Sequence, residues 1–239
     1  MRKDMKIPTK DGFNIYGTLD SCESRRLIIF IHGMTGNKDE HHYFNAASFF
    51  NKRGFDTFRF NFYSRKKDSR QLVDSTLTTH IDDLNAVIDK FTGDYDETIL
   101  ISHSFGGILV PNVELSKVSK IVFWDPSSGF NNLEDKSITY ERSMDKYRLN
   151  WGKTILVNKL LIEQWMAVSV EELVDKVTVP CKFIFAGNNN KEDIWGPQLD
   201  KIKVPYKTSA IEGASHQFVE EGSEEKLFEE TLKFISRSI

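Results

Sequence analysis

Glu97-Thr-Ile-Leu-Ile-Ser-His-Ser-Phe-Gly-Gly107 is the stretch on which the fold turns. Its first half, Glu97–Ser102, is a short apolar run, the composition of a strand buried on both faces. It passes without a spacer into Ser102-His-Ser-Phe-Gly-Gly107, and an apolar helical stretch follows. A serine at the apex of a sharp strand-to-helix turn needs small neighbours, because the turn is strained and strand and helix approach closely. The pattern is G-x-S-x-G with one departure: Ser102 stands in the first glycine position, larger by a hydroxymethyl group. Gly106 and Gly107 are in place, and Pro111 falls four residues later, so its ring meets a glycine carbonyl. Ser104 is therefore the candidate nucleophile.

Working outward, strands and helices alternate. Asp11-Gly12 reads as a hairpin turn between Lys6–Pro8 and Phe13–Leu19. Leu27–Ile31, Phe55–Phe62, Lys120–Trp124, Lys182–Ala186 and Val204–Ile211 supply five more strand patterns. Tyr43–Lys52 reads as a helix with Phe44, Ala47 and Phe49 or Phe50 facing inward. Ile81, Leu84, Ile88 and Phe91 mark a second helical face, with Thr79 and Asp82 spaced like a capping box. Leu227, Phe228, Leu232 and Ile235 mark a C-terminal helix opened by Ser223. This order predicts an α/β chain with a mostly parallel eight-stranded sheet flanked by helices, mixed at the hairpin edge. Residues 1–239 read as a single domain. Within it, 126–178 interrupt the alternation for too long to be a plain loop. Ile138–Leu149 and Ile155–Val168 read as helices, and Ser169-Val-Glu-Glu172 as the capping box of a third, which predicts an inserted helical cap.

Composition narrows the function classes. The chain has 239 residues, and 32 Lys and Arg against 35 Asp and Glu leave a formal charge of −3, which argues against nucleic acid as a partner. The longest apolar run, Leu27–Ile31, is far short of the ~20 residues of a membrane span. The N-terminus lacks the apolar stretch of a secretory signal. Cys22 and Cys181 have no metal-ligand spacing and read as two reduced thiols, so a cytoplasmic protein is expected.

Three features fall where Ser104 would need them. Leu27–Ile31 ends in His32-Gly-Met-Thr-Gly36, a glycine-bearing turn able to aim a backbone N–H at a developing oxyanion; the donors would be the Met34 and Phe105 amides. Gly213-Ala-Ser-His-Gln-Phe218 lies between the last strand and the last helix and offers His216 as general base. Ile184-Phe-Ala-Gly187 ends the penultimate strand and leads into an acid-containing loop.

The sequence resembles the α/β-hydrolase superfamily over essentially its whole length. His32-Gly-Met-Thr-Gly-Asn-Lys38 is similar to a stretch of cinnamoyl (feruloyl) esterases and of their serine aminopeptidase-like and monoglyceride lipase-like relatives. The resemblance implies an α/β-hydrolase fold and a Ser-His-Asp triad. It places the acid at the third residue after Gly187, but Asn190 stands there. An amide can hold an imidazole yet cannot stabilise the imidazolium formed during turnover. Asp193, four residues before Pro197, resembles the family's D-x-x-x-P ending and is the favoured acid. Asp125, in Phe123-Trp-Asp-Pro126, and Glu192 are the alternatives. Relatives carry Asp-x-x-Gly-x-Gly-x-Ser after the fourth strand, where this chain has Asn61-Phe-Tyr-Ser-Arg-Lys-Lys-Asp-Ser69. The expected activity is hydrolysis of a small or medium carboxylic ester through an acyl-enzyme, with no metal or organic cofactor. A thioesterase, an aminopeptidase, an acyltransferase and a non-catalytic binding protein on the same fold are the rival readings.

Other conspicuous residues have plainer explanations. His103 reads as packed in the turn and His32 as support for the oxyanion turn. Asp39-Glu-His-His42 lacks H-E-x-x-H spacing and reads as a helix start. Arg65-Lys-Lys67 with Arg70 reads as a solvated loop. Phe130, Trp151, Trp165 and Met166 read as cap core, with at least one of them expected to line the acyl or alcohol pocket.

Overall fold

The computed structural model describes residues 1–129 and 137–237, so Phe130 lies outside the described residues. The chain opens with the hairpin β1 (Arg2–Pro8) and β2 (Asn14–Asp20), turned by Gly12 at φ +90°. Then follow β3 (Arg26–Ile31), α1 (His41–Asn51), β4 (Asp56–Asn61), α2 (Leu77–Phe91) and β5 (Glu97–His103). A short α3 (Gly106–Leu109) and β6 (Lys120–Trp124) complete the first half. The insertion holds β7 (Ile138–Glu141), β8 (Lys146–Asn150), β9 (Thr154–Asn158), α4 (Lys159–Met166) and α5 (Val170–Asp175). Finally come β10 (Cys181–Ala186), α6 (Lys191–Leu199), β11 (Tyr206–Ile211) and α7 (Ser223–Ile235).

The main sheet has eight strands in the order β1-β2-β4-β3-β5-β6-β10-β11. Strands β4, β3, β5, β6, β10 and β11 run parallel, and the hairpin makes the other edge antiparallel. Continuous apolar strands suit this sheet because both faces are covered. Leu27, Ile29, Ile31, Leu100, Ile121, Phe123, Phe183 and Phe185 pack on one face with Leu84, Val87 and Ile88 of α2. Ile28, Phe30, Ile99, Ile101, Val122, Trp124 and Ile184 pack on the other, against α1 and α7. The register sets Ile31 beside Ser102, His103 beside Trp124, Trp124 beside Ile184, and Ala186 beside Ile211. Five neighbouring strands therefore end together, and their following loops meet at one edge, where open α/β sheets build their sites.

The inserted segment differs from its sequence reading. Ile138–Leu149 and the start of Ile155–Val168 are not helical: β7, β8 and β9 form an antiparallel three-stranded sheet, and among the described residues of the insertion the helices are α4 and α5. Alternating Ile138, Tyr147, Leu149, Ile155 and Val157 with β-branched and aromatic neighbours favour strands over helix. Asp145 at φ +50° and Gly152 at φ +70° make the turns between them. Short apolar runs read equally as either element, and the turns decide. The cap is thus mixed rather than helical. Ser169 makes no side-chain cap, and the capping box of α2 pairs Thr76 with Thr79 rather than Thr79 with Asp82.

Two other expectations change. Phe44 of α1 is exposed, its ring beneath Arg2 and Arg59, while Ala46, Ala47 and Phe50 face inward. Arg70 is buried between Asp83 (3.1 Å) and Asp11 (2.7 Å), whereas Arg65, Lys66 and Lys67 are exposed. No helix among the described residues is long and apolar enough to cross a membrane.

Candidate active site

Ser104 leaves β5 at φ +54°, a left-handed conformation that costs a non-glycine residue of order 1–3 kcal/mol. The neighbours that hold it there are visible. Its N–H donates to the Trp124 carbonyl (3.1 Å), and its carbonyl accepts from the Gly107 and Ser127 amides (2.9 Å each). The small residues are needed for space. A Cβ on Gly106 would lie 2.8 Å from the Ile31 carbonyl oxygen, and one on Gly107 would lie 2.6 Å from Pro126 Cβ. Ser102 fits, but its buried hydroxyl has no partner among the described residues. Such a group costs about 1–3 kcal/mol.

His216 follows β11. Its Nε2 accepts a hydrogen bond from the Ser104 hydroxyl at 2.8 Å. Its Nδ1–H donates to Asp125 Oδ2. This tautomer follows from the network, since only a protonated Nδ1 can donate to a carboxylate.

The carboxylate at His216 is therefore Asp125 and not Asp193. Asp125 closes β6 at φ +42°, wholly buried. Its Oδ1 accepts from the Ala186 amide (3.0 Å), its Oδ2 accepts also from Asn189 Nδ2 (2.8 Å), and the carboxylate is ion-paired with Lys191 Nζ (3.1 Å). Burial alone would raise its pKa. The His216 hydrogen bond, the Lys191 charge and the Ala186 amide outweigh burial and hold it below the usual value. Asp193 and Glu192 are exposed in the first turn of α6. The physical reason lies in the Asn188–Asn190 turn. Asn188 is tied back to Ala214 and Gly213, and the helix begins directly at Lys191, so Pro197 falls inside it instead of ending a loop. Asn190 precedes the helix and makes no side-chain cap.

Two residues at this edge carry no signal in the sequence patterns. Lys191 Nζ lies 2.9 Å from His216 Nδ1 and 3.0 Å from the Asp125 carbonyl oxygen. Ser127 Oγ lies 3.2 Å from Ser104 Oγ. Ser127 follows from local spacing once Asp125 is located, two residues before it, whereas Lys191 reaches the same carboxylate from another strand's end.

The turn after β3 faces the nucleophile: a Cβ on Gly33 would lie 3.1 Å from Ser104 Cβ. Among the described residues no group accepts from the Met34 or Phe105 amide. His32 braces this turn. Its Nε2 accepts from the Phe62 amide (3.2 Å), which leaves Nδ1–H to donate to the Gly33 carbonyl (2.8 Å). Burial pushes its pKa down to about 4, so the ring stays neutral.

Buried imidazoles pack behind His216. The His103 ring lies 4.6 Å from it and its Nε2–H donates to the His216 carbonyl (2.8 Å); the His42 ring lies 4.9 Å from His103. Burial lowers His103 well below its ordinary value and His42 to about 3. The side chains of the Asp39–His42 run diverge: Asp39 pairs with Arg59, His41 with Glu224, and His42 enters the core. On the cap side, Trp165 lies 4.9 Å from the Phe105 ring and donates through Nε1 to the Ser128 carbonyl (3.1 Å). Trp151 lies 6.2 Å from Trp165, and Met166 packs against the same core.

The alpha/beta hydrolase family model matches residues 28–177. No curated protein matches the sequence significantly. Among solved structures, Est1E of Butyrivibrio proteoclasticus with bound ferulic acid is similar at TM-score 0.78 and 20% identity, covering 98% of this chain and 100% of that one. GrgF, an alpha/beta hydrolase of Penicillium sp. sh18, gives TM-score 0.81 at 14% identity over 99% and 98%. A Pyrococcus furiosus esterase gives TM-score 0.73 at 16% identity over 99% and 91%.

Proposed function

Since the chain belongs to the alpha/beta hydrolase family, we propose that it is a serine hydrolase cleaving small or medium carboxylic esters, with Ser104, His216 and Asp125 as its triad. The observation that carries this reading is the unbroken path from the Ser104 hydroxyl through Nε2 and Nδ1 of His216 to a buried carboxylate.

His216 accepts the Ser104 proton as Oγ attacks the ester carbonyl. Asp125, held ionised, keeps Nδ1 protonated and stabilises the imidazolium. The Met34 and Phe105 amides receive the oxyanion, as backbone donors fixed before the reaction begins. His216 then returns the proton to the leaving alcohol. Water, activated by the same imidazole, releases the acid and restores Ser104. Every proton in this sequence moves between substrate, water and protein groups. Phe105, next in sequence to Ser104, packs against Trp165 of the insertion, which makes aryl esters reasonable first substrates to test. The relative Est1E holds ferulic acid, a further reason to test aryl esters first.

Incubation with a fluorophosphonate probe, followed by peptide mapping, tests the reading. Labelling at Ser104 together with turnover of 4-nitrophenyl acetate is the expected result. A folded protein that neither labels nor turns over aryl, alkyl or thioester substrates would refute it.

A further inference from the structure

The ammonium of Lys191 sits within hydrogen-bond distance of Asp125 Oδ2 (3.1 Å) and the Asp125 carbonyl (3.0 Å), and 2.9 Å from His216 Nδ1. Nothing in the proposed sequence of proton transfers uses it. Helix formation does not account for its place either. Lys191 opens α6, where the positive end of the helix dipole disfavours a cation. Asn189 joins the two: its Oδ1 accepts from the Lys191 amide (3.0 Å), while its Nδ2 donates to Asp125 (2.8 Å).

We infer that Lys191 is a positioning residue that fixes the Asp125 carboxylate and, through its charge, weakens His216 as a proton acceptor, setting the pH at which the site becomes competent. The inference rests on the triad reading above. Its physical basis is the charge count. Beside a neutral His216, Asp125 and Lys191 cancel. When His216 takes a proton, the new positive charge meets Lys191 as well as Asp125, so part of the carboxylate's stabilisation is offset. The ammonium is mostly buried, its side chain 19% exposed, so water screens it little.

The other charged and titratable groups around this pair do not reproduce the effect. From β5 and α1, His103 and His42 are neutral, as burial lowers both. From the loop before α7, Glu220 is committed to the Ser215 amide (2.9 Å), which holds it ionised. His41 is paired with Glu224. On α6 itself, Glu192 and Asp193 are exposed. Burial also lowers Lys191, and Asp125 opposes that shift.

The test compares Lys191→Met, Lys191→Gln and Lys191→Arg with the parent in the whole protein. In Met and Gln variants the acid limb of the kcat/KM profile for a 4-nitrophenyl ester should move up by about one pH unit, so the pH 6 to pH 9 rate ratio falls up to about tenfold. Gln keeps a donor without the charge, so a shift in both variants identifies charge as the cause. Arg should restore the parental limb. An acid limb left unmoved in folded Met and Gln variants, whether or not activity falls at every pH, would overturn the inference. NMR titration of the His216 ring separates this outcome from the hydrolase reading. A midpoint that rises in Lys191→Met supports the charge effect even if no ester is turned over. An unmoved midpoint in a fully active enzyme removes Lys191 and leaves the triad standing.

Discussion

The C-terminal edge of the main sheet and the segment inserted above it are held in place by different means. At the edge, five neighbouring strands deliver the Gly33 turn, Ser104, Asp125, Asn189 and His216. Two of these residues, Ser104 and Asp125, sit at positive φ, and surrounding backbone bonds hold both there. Among its described residues, the inserted segment is a three-stranded antiparallel sheet with two short helices, and its positive-φ residues, Asp145 and Gly152, serve turns. Atoms that exchange a proton must be placed to a fraction of an ångström, which central strands can do. A covering layer needs only to pack and to shape access. Substitutions at the edge should therefore strike turnover, and substitutions in the cap should strike affinity or stability.

Ser104→Ala should have the largest effect, lowering kcat for an activated ester by about four orders of magnitude or more with an unchanged thermal transition. Comparable turnover by the alanine variant would break the edge side of the contrast. Trp165→Leu probes the cap where it touches Phe105. Its expected effect is a KM for aryl esters about three- to tenfold higher, with a smaller change in kcat; steady-state kinetics would contradict the division if kcat fell more than KM rose. The smallest kinetic effect belongs to Leu149→Ala, in the buried face of β8. This change should cost about 2–5 kcal/mol in denaturant unfolding, yet alter kcat less than about threefold. A large loss of kcat in the folded variant would tie the cap directly to the chemistry.

Legibility in the sequence follows the same division. The runs Leu27–Ile31, Glu97–Ser102 and Lys120–Trp124 are readable because a strand covered on both faces must be apolar throughout. Ser104 and His216 are readable because their neighbours are small residues at fixed spacings. The cap is less legible because its apolar residues are too sparse to separate strand from helix, and the decisive turn signals, Asp145 and Gly152, are single residues. Asp125 is hard to single out for another reason. An aspartate before proline at a strand end ordinarily makes a turn, and Asp193 fits the expected spacing better. The useful sign was Asn188-Asn-Asn190: three amides where an acid was expected, with β6 lying between β5 and β10 and already ending in a carboxylate. Lys191 carries no readable signal, since a lysine in a first helical turn is ordinarily solvated.

Parallel kinetics of Asp125→Asn and Asp193→Asn on one aryl ester decide which carboxylate serves His216. Asp125→Asn should lower kcat by about three to four orders of magnitude, because an amide cannot both fix the His216 tautomer and stabilise its positive charge. Asp193→Asn should change kcat by less than about twofold. A loss in Asp193→Asn that equals or exceeds the loss in Asp125→Asn would contradict the account.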